Sequence, residues 1–482
     1  MLEDIIAERR HKLERYRKTA NPYPATVARS FSLQEVKKNF ALLSKKKKSI
    51  TVVGRIRAWR DQGKIVFSDI EDGTGTVQLV IDRERVKNME FIKATFDSGD
   101  FIEAKGTPYV TKRGEKSLLV SSVRLIAKSL RPVPQSWYGL EDVETRLRRR
   151  YLDLLVHSAA RELFVKKNLF WKTLRGILEA EQFLEVETPV LEAIPGGAEA
   201  EPFVTHHNAL DTDYYLRISL ELPLKKLLVG GYEKVFEIGR IFRNEGIDRE
   251  HLQDYTQMEC YWAYADYEDM MRLVEKMYKA VIKKTFGRLE TTYMGDTIKW
   301  GKKWPKVDYY AVFKKETGID LEKTILVADL YQSAKKLGLK PEVGLGRGKL
   351  IDFIYKKFVR PKLITPCFLI NPPADVEPLA KRIEKNPNRV ERFQVLAAGT
   401  ELGKGFSELN DPLDQRARFE EQMKLRAAGD KEAQMLDEDF LEALEYGMPP
   451  AAGFGMSERL FAVLADKPVR EAVFFPLMKD EK

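Results

Sequence analysis

The chain has 482 residues, which at roughly 100–200 residues per domain leaves room for two to four domains, and its 44% hydrophobic content is that of a globular protein rather than a disordered or fibrous one. Lysine and arginine outnumber aspartate and glutamate by 82 to 73, a formal charge of +9 that is compatible with a polyanionic partner without requiring one. Two cysteines exclude a disulfide framework and a four-cysteine zinc site, the start MLEDIIAERRHKL, with Glu3, Asp4 and Glu8, is unlike a secretory or acid-poor transit peptide, and no run approaches ~18 apolar residues, so a reducing cytoplasmic setting without a membrane is expected.

Residues 1–20 read as a charged amphipathic helix, stopped by Asn21-Pro22-Tyr23-Pro24, and residues 33–43 as a second, short one. Lys45 to Lys48 form a basic run whose plainest reading is a solvated loop. From Ile50 the period changes to that of strands: ITVVGRIRAWRDQ, KIVFSDIED, TVQLVIDRE, DFIEAKGTPYVT and KSLLVSSVRLIAKS, with a helix around residues 86–95. Five short strands over ~80 residues fit a Greek-key barrel, with the oligonucleotide-binding OB-fold as the leading candidate. The Pro132/Pro134 stretch reads as a hinge, followed by one large α+β region. Gly344-Leu345-Gly346-Arg347-Gly348-Lys349 imitates a phosphate loop, but Val343 and Leu350 break the required spacing, which leaves a glycine turn before a helix.

The most informative segment is 235–267. VFEIGRIFRNEG and TQMECYWAYADY read as antiparallel strands joined by the loop IDREHLQDY. Alternation puts Met258, Cys260 and Trp262 on a core face and Glu259, Tyr261 and Ala263 on the other. A carboxylate and a phenol on an inner strand point to a site for a cationic ligand, or to an ion pair with a lysine or arginine of the chain itself.

FRNEG after a strand resembles motif 2 of the class II aminoacyl-tRNA synthetases, and YADY and GFSELND (405–411) resemble the lysyl-tRNA synthetases in particular. The resemblance extends over the chain, from NPYP through FLEVETP at 183–189 (motif 1) and THHNAL at 205–210. It implies an α+β protein: an N-terminal helical extension (1–48), an OB-fold anticodon-binding β-barrel (49–130), a hinge (131–150) and a class II synthetase catalytic domain on an antiparallel sheet with flanking helices (151–482). It further implies a homodimer formed across motif 1, with lysine, ATP, Mg2+ and the tRNA for lysine as partners.

Residue by residue, the resemblance gives Arg243 the bridge between the ATP α-phosphate and the amino-acid carboxylate, and Arg459 the γ-phosphate. Glu245 and His251 fall in the loop that holds adenine and the tRNA end, and Tyr255 where an aromatic ring stacks on adenine. Glu259, Tyr261 and Glu408 match the residues around the lysine ammonium, Gly197 and Glu221 those at the α-amino group. Glu401 matches a magnesium carboxylate whose usual glutamate partner is here Gln394, which keeps a carbonyl oxygen and loses the charge. Glu401 and Glu408 lie seven apart, so both reach one site only if Gly403 or Gly405 permits a bulge or bend. Lys404 stands where the family carries asparagine near the substrate carboxylate, and Gly453-Phe454-Gly455-Met456-Ser457-Glu458-Arg459 is one residue shorter than motif 3 and lacks its third glycine. In the barrel, Phe67, Gln78 and Glu115 match residues that hold the anticodon uridines, although the pattern alone makes Phe67 a core strand residue. The competing functions are a synthetase for aspartate or asparagine, a catalytically weak or silent tRNA-binding paralogue, and an enzyme that transfers lysine to protein.

Overall fold

A computed structural model describes residues 2–134, 140–246, 248, 250–342 and 344–480. The chain divides between Asp142 and Val143 into two units. In the first, strands β1 (Ile50–Asp61), β2 (Ile65–Glu71), β3 (Thr76–Asp82), β4 (Phe101–Val110) and β5 (Lys116–Ala127) close a barrel in the order β1-β2-β3-β5-β4. Alternation fills it: Val52, Ile56, Val66, Ile70, Leu79, Ile81 and Val120 turn inward, as period-2 residues on one face must.

The N-terminal helix Leu2–Arg17 belongs to this same unit. Tyr16 is buried in the barrel core and its hydroxyl oxygen accepts from the backbone N–H of Leu125, while the Arg9 guanidinium donates to Ser129 O and Ser98 O. The expected helix at 33–43 is two helices, Leu33–Lys38 and Phe40–Lys45, because Asn39 leaves helical geometry (φ −99°, ψ 11°). Ser32 and Glu35 form a capping box at the start of the first. Lys45 to Lys48 are exposed.

Part of the expected hinge is ordered structure of the second unit. Residues 143–150 contribute the helix Val143–Arg148 and the start of Arg150–Val156. Arg150 is buried, pairs with Asp153 at 2.8 Å and donates to Glu471 O and Val473 O, so the end of that stretch is already anchored in the second unit. Residues 135–139 of that stretch lie outside the described residues.

The second unit is built on eight strands: β6 (Leu184–Glu185), β7 (Lys234–Phe242), β8 (Asp254–Ala263), β9 (Lys306–Asp308), β10 (Cys367–Ile370), β11 (Arg392–Ala397), β12 (Thr400–Ser407) and β13 (Ala451–Ser457). Their order is β9-β10-β11-β12-β13-β8-β7-β6, antiparallel except for the two outermost pairs. One face carries Met258, Cys260, Phe236, Phe393 and Phe454 against the helices Ser158–Ala180 and Tyr267–Phe286. Asp266 of the YADY segment caps the second of these helices with a capping box, and Gly287, in the left-handed region at φ +75°, ends it. The opposite face bears Glu259 and Tyr261 and lines a cavity. Near the decoy glycines, Gly346 precedes the helix Arg347–Phe358, and Lys349 is paired with Asp430 and Glu432; Val343 lies outside the described residues.

Candidate active site

The cavity has a volume of about 2070 Å³, larger than the ~300–1,000 Å³ of an ordinary single-ligand pocket. Its floor is the open face of the sheet, and strand register decides which side chains meet there. Gln394, Lys404, Gly455, Glu259 and Glu237 form one row across five strands, and Arg392, Phe406, Gly453, Tyr261 and Val235 form the next. The two glycines keep the middle of the floor low. A Cβ on Gly453 would lie 2.2 Å from Glu408 Oε1 and 2.4 Å from Tyr261 Cε1.

One end of the floor is acidic. Glu259 is buried and accepts from Ser219 Oγ (2.7 Å), Leu220 N (2.9 Å), Gln257 Nε2 (2.5 Å) and the Tyr261 hydroxyl (2.8 Å). Glu221 and Glu408 flank the fully buried Lys225, whose Nζ is 2.6 and 2.5 Å from their carboxylates and packs over the rings of Phe406 and Phe440. Burial works against the Lys225 charge, but the two carboxylates outweigh it and hold the ammonium protonated. Around Tyr261, three carboxylates therefore face one internal cation. Burial pushes Glu221 up to about 7 and Glu408 well above the usual carboxylate range, with Lys225 opposing both shifts. Gly197, at φ +83°, passes close over Glu221: a Cβ there would lie 2.8 Å from Glu221 Cβ.

Glu408 is buried beside Lys225. Its Oε2 pairs with Lys225, and its Oε1, which a Cβ on Gly453 would meet at 2.2 Å, is buried with no hydrogen-bond partner among the described residues. Sequence reasoning missed Lys225, which a lone pattern position on a helix does not reveal. The bend needed between Glu401 and Glu408 is a β-bulge at Leu402: Val395 pairs with Gly403, but Leu396 pairs with Glu401. Gly403 follows it because a Cβ would meet Phe454 at 2.7 Å and the Tyr278 hydroxyl at 2.9 Å.

The other end is cationic. Lys404 reaches Glu377 Oε2 at 3.0 Å, and Arg392 approaches the same oxygen at 3.4 Å. Burial raises the Glu377 carboxyl, but Lys404 and Arg392 outweigh it and hold it below its usual range. Beside them Gln394 turns its amide nitrogen to Glu401 Oε2 at 2.7 Å. A metal held by a carboxylate pair does not fit these residues: Glu401 is one hard oxygen ligand, and its neighbour is spent as a donor. Among the described residues no group of three or more His, Cys, Asp or Glu is arranged to hold a metal ion.

Above the floor, the hairpin loop after β7 brings Arg243, Glu245 and His251 to the wall. Arg243 donates through Nε to Ile218 O (3.2 Å) and lies 5.7 Å from the Tyr255 ring centroid. His251 is hydrogen-bonded to Asp248 at 2.6 Å and half-exposed. Gln253, unmarked in sequence, is buried and pins the loop by donating to Glu245 O and Gly246 O. Despite its short motif, Arg459 opens the helix after β13 and reaches the cavity, with Nε on Glu250 O (3.2 Å) and Nη1 near Glu401 O (3.4 Å). Neighbouring Glu458 is buried, bonds the Thr256 N–H and pairs with Lys167, which fixes the turn.

On the barrel, Phe67 is half-exposed between the inward residues Val66 and Ser68, so its ring faces outward and is not part of the core. Cross-strand pairing sets it beside Arg60 and Val80, and Asp69 beside Gln78, which accepts from Ser117 Oγ at 2.9 Å. Glu115 is exposed just before that serine, and Arg60 makes a two-pronged bond to Asp69 at 2.7 and 3.0 Å. Nothing in the sequence singles out Arg60 or Asp69, since their pairing depends on strand register.

Comparison with known proteins agrees with both units. Residues 142–479 match the family of class II tRNA synthetases (D, K and N), and residues 50–126 match the OB-fold nucleic acid binding domain of the anticodon-binding family. The chain is 44% identical to a lysine–tRNA ligase of Moorella thermoacetica over 99% of this chain and 98% of that one. It is 44% identical to the lysine–tRNA ligase of Roseiflexus castenholzii and 43% to that of Chloroflexus aurantiacus, each over 99% of both chains. With a barrel and a catalytic sheet of the right kinds in the right order, and relatives matched end to end, the chain belongs to the lysine–tRNA ligases, enzymes of class II.

Proposed function

We propose that the chain joins lysine to ATP as lysyl-adenylate and passes the lysyl group to the 3′ end of its cognate tRNA, for protein synthesis. The observation that carries this reading is the polarised floor of the cavity, with Glu259 and Tyr261 on one side of Gly455 and Lys404 on the other. Strands lie ~4.8 Å apart, so the two ends are set roughly 10 Å apart, a span suited to an extended amino acid. With all three carboxylates ionised, the acidic end is two positive charges short against Lys225, and lysine brings two ammonium groups that would favour that ionised state. Aspartate or asparagine would call for a cation there. Glu221 and Gly197 take the α-amino group; Glu259, Tyr261 and the free oxygen of Glu408 take the side chain. Lys404 faces the carboxylate.

Activation then needs no protein nucleophile. A carboxylate oxygen of lysine attacks the α-phosphorus and pyrophosphate leaves in line, with Arg243 neutralising both anions as charge builds and Arg459 holding the γ-phosphate. Tyr255, Glu245 and His251 hold adenine. Magnesium, bound with ATP, supplies charge neutralisation to the phosphates, and Glu401 is the one carboxylate offered to it. Phe67, Gln78 and Glu115 read the anticodon by stacking and edge contacts. A homodimer is supported by the exposed apolar residues in and just after motif 1, Leu184, Val190 and Leu191. Among the described residues no helix is long and apolar enough to cross a membrane, and the reaction belongs in the cytoplasm, where tRNA is charged. ATP–pyrophosphate exchange across the twenty amino acids tests the reading, with lysine the expected substrate.

A further inference from the structure

The cationic end of the floor has a charge balance of its own. Two carboxylates, Glu377 and Glu401, face two cations, Lys404 and Arg392, and the remaining member of the set, Gln394, is neutral. Gln394 and Lys404 are direct cross-strand partners, so the position that lacks a carboxylate has an ammonium beside it on the same face. Glu377 is buried, shares one oxygen between Lys404 and Arg392, and thereby fixes the lysine in the cavity wall.

We propose that Lys404, positioned by Glu377, is a built-in cation that takes the place of one divalent metal ion at this end of the site. A divalent ion held at Gln394 and Glu401 would gain only one anionic ligand and would be repelled by the neighbouring ammonium. The ammonium instead offers a permanent positive charge to the anions gathered there, the substrate carboxylate and the α-phosphate. Glu377 is the positioning residue: its carboxylate holds the Lys404 ammonium at 3.0 Å. The proposal rests on reading the cavity as the lysine and ATP site.

The test counts metal. Manganese bound per site is measured by electron paramagnetic resonance on the full chain, with saturating lysinamide and a non-hydrolysable ATP analogue. The Gln394→Glu/Lys404→Asn double variant is expected to bind one more ion than the wild type, and Gln394→Glu alone to bind no more, because the new carboxylate pairs with Lys404. Equal counts in wild type and double variant overturn the proposal. Lys404→Asn provides a second arm that leaves Gln394 in place: free magnesium in excess of ATP should raise its exchange rate several-fold while leaving the wild type unchanged. An identical free-magnesium dependence in both also overturns it. Failure of the underlying site reading is a separate result, visible as a wild type that exchanges pyrophosphate without requiring lysine.

Discussion

Lys404 and Glu259 stand in one cross-strand row, each directly opposite Gly455 of the strand between them. Neither has a side chain of the intervening strand in the way, so a ligand lying over Gly455 meets a cation at one end and a carboxylate at the other. Glu259→Gln removes the counter-charge but keeps the shape, and should cost ~2–5 kcal/mol in kcat/KM for lysine, the scale of breaking a buried charged pair. Ornithine, shorter by one methylene, should lose only about 1–3 kcal/mol with the unaltered enzyme. Steady-state exchange kinetics check both, and unchanged lysine kinetics in Glu259→Gln would refute the pocket.

The raised carboxyls predict a pH dependence. Glu221 titrates near 7 in the free protein because burial disfavours its charge. Between its ordinary value of 4.5 and 7, the folded chain keeps a proton that the unfolded chain gives up. Stability from this group therefore falls as pH rises through that window. Lysine requires the ionised carboxylate and restores what is lost. Its KM should rise as pH drops below about 7, and saturating lysine should raise Tm more at pH 8 than at pH 6. Equal thermal shifts at the two values would contradict the assignment of Glu221.

Lys225 is predicted to be structural. Lys225→Met leaves Glu221 and Glu408 buried together without their cation, and should destabilise the catalytic unit by about 3–5 kcal/mol. Thermal or urea unfolding measures this directly. A variant of ordinary stability that had lost only lysine affinity would place Lys225 on the substrate instead.

On the barrel, Phe67 faces outward, so Phe67→Ala should leave the fold and adenylate formation intact. It should weaken tRNA aminoacylation by ~1–3 kcal/mol, the stacking contribution of one base. Circular dichroism, exchange and aminoacylation on the same preparation separate the outcomes; loss of the folded spectrum would mean that the ring is needed by the core after all.

Period and spacing made the barrel strands, the β7–β8 hairpin and the alternation around Glu259 legible, because each depends on residues near in sequence. What the pattern left open depends on pairing between distant segments. Lys225 meets Glu408 across 183 positions of chain only because the helix Glu221–Val229 lies over the end of β12, and no local signal marks it. Phe67 is as hydrophobic as its inward neighbour Val66, and only the burial alternation of the folded strand, with Val66 and Ser68 inside, shows the side on which it lies. The role of Glu377 was equally hidden: its partners Arg392 and Lys404 come from two different strands. The bulge at Leu402, by contrast, followed from the seven-residue spacing of Glu401 and Glu408 as soon as both were assigned to one site.

The most direct test of the account is lysine-dependent ATP–pyrophosphate exchange by the wild type and Arg243→Ala, with the twenty amino acids supplied one at a time. Exchange driven by lysine, and reduced by ~10²-fold or more when the preorganised Arg243 donor is removed, is the predicted result. Exchange driven by aspartate or asparagine, or exchange with lysine that is indifferent to Arg243, would contradict it.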